Sequence, residues 1–169
     1  MTIESISRTV LGILLAVPLL AARAAADDLS DGIDLFRQGK YAQAEARLRS
    51  ASGTEASAYL AASLARQKKY AEAETPAREA LQANPAHDVA VAALGEALVG
   101  QKKHDEAIER LSAALAKKDD LAYAYFWRGQ AYDKKNQAAR MVADYQVFLK
   151  LAPKAPVAPS VQAVLSALR

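Results

Sequence analysis

A step of 34 residues governs most of this chain. Tyr70, His104 and Ala138 stand 34 apart, as do Ala61, Gly95 and Gly129, and Ala73, Ala107 and Met141. Leu64, Leu98 and Tyr132 keep the same step, and so do Pro85, Asp119 and Pro153. A fixed period of this length marks one supersecondary unit copied several times, each copy burying its apolar face against the next. Inside a unit, Leu60, Ala61 and Leu64 share one helical face ahead of Lys68 and Lys69. Ala73, Ala77, Ala80 and Leu81 share another face beyond that doublet. The unit therefore reads as two antiparallel helices joined by a short turn. Pro85 ends the second helix because proline cannot continue one. Of the 169 residues 52% are hydrophobic and only 7% aromatic, and much of the apolar content is alanine, which suits helices packed closely through small side chains.

Two stretches carry a further signal. "ALGEALVGQKKHDEAIERLSAAL" (93–115) has Leu94, Gly95, Ala107, Leu111 and Ala114 in register, and "YFWRGQAYDKKNQAARMVADYQVFLKLAP" (125–153) has Gly129, Tyr132, Tyr145 and Pro153. This pattern resembles the tetratricopeptide repeat family. The resemblance implies an all-α solenoid of four helical hairpins, at about 29–53, 54–87, 88–121 and 122–155, with a capping helix in 156–169. Nine helices are expected in all. The first unit is short, since Tyr41 to Tyr70 is 29 residues, so its second helix or following loop lacks about a turn. Gly53 is expected to end one helix and Thr54 to cap the next. Pro76 predicts a kink or a late start in the second helix of unit two. Met141 and Phe148 stand at positions where the family places alanine, so unit four should pack more heavily. Ser160 is placed to cap a last helix with Val161, Val164, Leu165 and Leu168 on one face.

Residues 1–26 do not belong to this pattern. Arg8 precedes an apolar run from Val10 to Ala22, followed by the small-x-small exits Ala22-Arg23-Ala24 and Ala24-Ala25-Ala26. That is the layout of a secretory signal peptide, and cleavage after Ala26 is expected. The run is short of the roughly 20 apolar residues a spanning helix needs, and Pro18 interrupts it. A retained membrane anchor is the alternative. An exported protein is expected, periplasmic if the source is a Gram-negative bacterium. Removing Arg8, Arg23 and Glu4 from 22 basic and 19 acidic residues leaves 20 and 18, too even a balance for a nucleic-acid partner.

Catalytic chemistry finds no support in the sequence. There is no cysteine, which removes thiol nucleophiles, thiolate metal sites and disulfides. The two histidines, His87 and His104, lack ligand spacing on one helix face, and the glycines fall at repeat positions rather than in a phosphate loop. Glu72, Glu74, Asp105, Glu106 and Glu109 fall on solvent faces of second helices with basic partners at helical spacing, such as Glu106 with Arg110. No enzyme, cofactor or metal is expected.

The resemblance implies a concave groove lined by first helices, which takes a protein or peptide partner. By repeat position its lining would come from Phe36, Arg37, Glu55, Ala58, Ala62, Ala65, Arg66, Val89, Ala92, Glu96, Val99, Tyr123, Phe126, Gln130 and Asp133, with Tyr59 and Trp127 near the rim. Phe126 and Trp127 are the candidate anchors, since buried aromatics dominate binding energy; packing of Trp127 against the neighbouring hairpin is the competing reading. One use of the family is a clamp of lysine, asparagine and arginine on a partner's C-terminal carboxylate. Here Ala58, Ala62, Ala93, Tyr123 and Trp127 occupy those positions, so no such clamp is expected. Stacking of the hairpin turns would align Lys68, Lys69, Lys102, Lys103, Lys134 and Lys135 into a basic edge, either simply solvated or touching an anionic membrane or acidic partner. Open end faces leave self-association as a further outcome.

Overall fold

The computed structural model describes residues 26–168, and each regular element among them is an α-helix. Helix α1 (26–37) pairs with α2 (Tyr41–Leu48), α3 (Thr54–Arg66) with α4 (Tyr70–Ala83), α5 (Asp88–Gly100) with α6 (His104–Leu115), and α7 (Ala122–Lys134) with α8 (Ala138–Leu151). A ninth helix, α9 (Ala158–Ala167), follows. The expected export segment lies outside the described residues except for Ala26. Helix α2 has 8 residues where α4 and α8 have 14, which is where the first unit is short.

Every hairpin turns in the same way. Gly39, Lys68, Lys102 and Asn136 hold the same place in successive units, with φ of 75°, 62°, 62° and 56°. The next amide in each reaches back to a helical carbonyl, Lys40 to Leu35, Lys69 to Leu64, Lys103 to Leu98 and Gln137 to Tyr132, at 2.9–3.0 Å. That backward bond with a left-handed residue before it is the Schellman ending, which satisfies carbonyls the helix leaves open. The position favours glycine or asparagine, and two units fill it with lysine.

The small residue in each first helix lets the hairpins close. A Cβ on Gly95 would lie 2.8 Å from Trp127 Cβ and 3.1 Å from Leu111, and one on Gly129 would lie 2.7 Å from the Tyr145 ring. Buried residues from Ala61 to Ala131 form one core running through units two to four, including Leu94, Leu98 and Leu111. Unit four has a second core of Phe126, Tyr132, Met141, Tyr145 and Phe148, covered by Ala158 and Val161 of α9. Met141 and Phe148 do make this unit the bulkiest. Asp144 and Arg128 pair beside it through two bonds of 2.7 and 2.8 Å, and Arg128 also donates to Ser112 Oγ at 3.0 Å, tying α7 to α8 and α6.

Three local expectations are corrected. Thr54 caps nothing: Gly53, at φ 96° and ψ 174°, is the N-cap, and Thr54 is the first helical residue. Helix α4 begins at Tyr70 and runs through a buried Pro76, so there is no late start; packing outweighs the one amide bond that proline cannot make. Helix α9 begins at Ala158 with Pro159 in its first turn, so Ser160 lies inside it. Of its predicted face Val161 is buried and Leu165 half-buried, while Val164 and Leu168 are exposed.

Candidate partner-binding groove

First helices of all four units meet around one cavity of about 260 Å³. Its walls are Phe36 from α1, Ala62 and Arg66 from α3, Asp88, Val89, Ala92, Ala93 and Glu96 from α5, and Tyr123 from α7. The lining is smooth because α3 and α5 turn alanines inward, and an aromatic stands at either end. Phe36 is fixed by edge-on contact with Tyr59, ring centroids 5.4 Å apart, and Tyr123 by similar contact with Phe148 at 5.7 Å.

One charge sits within this apolar wall. The Glu96 side chain is only 13% exposed, and Arg66 pairs with it, Nε to Oε2 3.5 Å, without a hydrogen bond between them. Burial pushes the Glu96 carboxyl above the usual carboxylate range, and Arg66 offsets only part of that. Asp88 at the rim is held by Lys118 Nζ at 2.7 Å.

Seven of the residues assigned to the groove from sequence line this cavity: Phe36, Ala62, Arg66, Val89, Ala92, Glu96 and Tyr123. Asp88 joins them without a signal in the repeat pattern. Phe126 is corrected as an anchor, since it is 6% exposed and its ring lies 5.3 Å from Phe148 and 4.8 Å from Trp127 in the unit-four core. Ala58 is fully buried beside Ala80 and Ala90. Trp127 is half-buried across Gly95, so it packs between hairpins, and its indole N–H has no partner among the described residues. Arg37 is exposed and 3.4 Å from Asp34; Val99 and Gln130 are half-buried outside the cavity lining, and Asp133 is exposed next to Lys134.

The basic edge is also corrected. Lys69 Nζ and Gln67 Nε2 both donate to Glu45 Oε2 at 2.8 Å, and Gln67 Nε2 also donates to the Tyr41 carbonyl at 3.3 Å. One unit later Lys103 and Gln101 donate to Glu74 Oε2 at 2.8 and 2.9 Å, and Gln101 to the Tyr70 carbonyl at 3.3 Å. Arg49 and Arg78 complete the two clasps from within their own units, each at 2.8 Å. Burial raises the Glu45 carboxyl, but hydrogen bonds from Lys69, Arg49 and Gln67 outweigh it and hold the pKa at about 2. Glu74 is likewise held at about 2, by Lys103 foremost, with Arg78 and Gln101, against burial. Glu74 is therefore not a merely solvated carboxylate. Lys134 pairs with Asp133 and Lys135 with Asp105, which leaves Lys68 and Lys102 as the doublet lysines without an ion pair among the described residues. The doublets join one unit to the one before it; they do not add up to a free cationic strip.

A tetratricopeptide repeat family model matches residues 64–131, from the end of α3 into α7. Over those residues the chain is similar to tetratricopeptide repeats. Solved tetratricopeptide structures share the fold over a longer span. TTC0263, a thermophilic tetratricopeptide protein of Thermus thermophilus, superposes with TM-score 0.74 at 19% identity, covering 86% of this chain and 81% of that one. PilF of Pseudomonas aeruginosa gives 0.71 at 22%, covering 88% and 68%. MamA of Desulfovibrio magneticus RS-1 gives 0.62 at 24%, covering 77% and 76%. At these identities the likeness establishes the solenoid alone. No curated protein matches the chain in sequence. Among the described residues, no cluster of three or more His, Asp or Glu is placed to hold a metal ion, and no helix is long and apolar enough to cross a membrane.

Proposed function

We propose that the chain is an exported, non-catalytic scaffold that holds a protein or peptide partner in its concave groove, in the assembly of envelope or secretion machinery. The observation that carries this reading is the cavity to which all four first helices contribute, with an aromatic at each end and alanines between. Such a lining suits the apolar side chains of a bound segment, and helical-repeat grooves of this kind commonly take protein or peptide partners. Export is supported by Arg8, the apolar run and the small-residue exits before Asp27. The test is Ala92→Arg, which puts a long side chain across the groove floor while α5 keeps its buried face. Partners that co-purify with the wild-type chain from the envelope fraction should be lost with the variant at unchanged helical content; their retention refutes the groove. N-terminal sequencing of the exported chain should begin at Asp27. A chain beginning at Met1 in the membrane fraction establishes the alternative, an anchored assembly factor.

A further inference from the structure

We infer that the groove selects a cationic apolar segment, one whose lysine or arginine side chain pairs with Glu96 while neighbouring apolar side chains lie against Phe36, Val89 and Tyr123. This rests on the groove being the partner site and names the chemistry it reads. The imbalance between the two groove charges decides the sign. Arg66 is 36% exposed, so water satisfies its guanidinium. Glu96 is 13% exposed, receives no hydrogen bond from the described residues, and has in Arg66 a cation that stops at 3.5 Å. A half-buried carboxylate with no protein donor is stabilised by an incoming cation, because a charge-assisted hydrogen bond is of the strong kind. The other acid of the wall, Asp88, already has Lys118 at 2.7 Å and adds negative potential at the rim without competing for the same cation. The long alkyl stems of lysine and arginine also suit alanine-lined walls, which cover the methylenes while the head reaches the acid.

The experiment is selection of a random-peptide display library against the full chain, followed by affinity measurement of synthetic copies of the enriched peptides. The expected result is enrichment of peptides combining lysine or arginine with apolar residues. Replacing that cation by norleucine should weaken binding about tenfold or more. Glu96→Gln, which keeps the shape, should remove the difference between lysine and norleucine peptides, and Ala92→Arg should abolish binding of both. Peptides that are lost with Ala92→Arg but bind equally with lysine or norleucine overturn the cation inference and leave the groove standing. Enrichment of acidic peptides that depend on Arg66 overturns it in the opposite sense. Peptides indifferent to Ala92→Arg, or no enrichment at all, count against the groove itself.

Discussion

Replacing Glu74 with alanine tests whether the clasps hold successive units together. The substitution removes the acceptor for Lys103 at 2.8 Å, Gln101 at 2.9 Å and Arg78 at 2.8 Å, while Gln101 keeps the Tyr70 carbonyl and Arg78 keeps Glu106 at 2.6 Å. The Glu74 side chain is 18% exposed, but Lys103 is 42% exposed and Arg78 32%, so water takes back part of each bond. An exposed ion pair contributes up to about 1 kcal/mol and a half-buried amide-carboxylate bond about as much again, which gives a loss of about 2 kcal/mol. The sign with pH follows from the depressed pKa. The folded carboxyl titrates at about 2 against an ordinary value of 4.5, so its stabilisation is complete above pH 4.5 and fades as pH falls toward about 2. Urea denaturation of wild type and Glu74→Ala across that window measures both quantities. A difference under about 0.5 kcal/mol at neutral pH, or one that stays constant down the acid limb, refutes the clasp as a stabilising junction.

Three further substitutions bear on other parts of the fold. Gly95→Ala sets a methyl 2.8 Å from Trp127 Cβ, an atom that cannot swing aside, and should cost about 1–3 kcal/mol in denaturant while quenching or shifting Trp127 fluorescence. Asp144→Ala leaves the half-buried Arg128 without its two-bond partner and should lose about 3 kcal/mol, with thermal unfolding showing the loss. Lys68→Gly relieves a left-handed lysine at φ 62° and should raise stability by a few tenths to about 1 kcal/mol; a fall would mean that the lysine side chain itself stabilises the turn.

Much of the array was legible in the chain because it is local. The 34-residue step, the apolar faces three and four apart and the terminating prolines depend on neighbours within one hairpin. The groove was legible in part: Ala62, Ala92 and Tyr123 follow from repeat position, which fixes the side of the helix a residue stands on. Phe126 shows the limit. It lies one helical position from Trp127, and only the added bulk of Phe148 and Tyr145 beneath it decides that its ring goes inward. The start of α9 was misplaced for a similar reason, since proline and serine both belong in a first turn and packing of Ala158 sets the register.

The lysine doublets divide the two sources of information most clearly. Sequence alone determined that they recur at hairpin turns, because turn position is written in the local period. It could not say what Lys69 and Lys103 touch, since Glu45 and Glu74 belong to the preceding unit and lie 24 and 29 residues away. Only the angle at which one hairpin stacks on the next brings those side chains to 2.8 Å. The same stacking half-buries Glu96 beside Arg66 of α3. A carboxylate that reads as an ordinary helix residue in the sequence thereby becomes the least exposed charge of the groove wall, because burial is a property of the assembled units and not of any one of them.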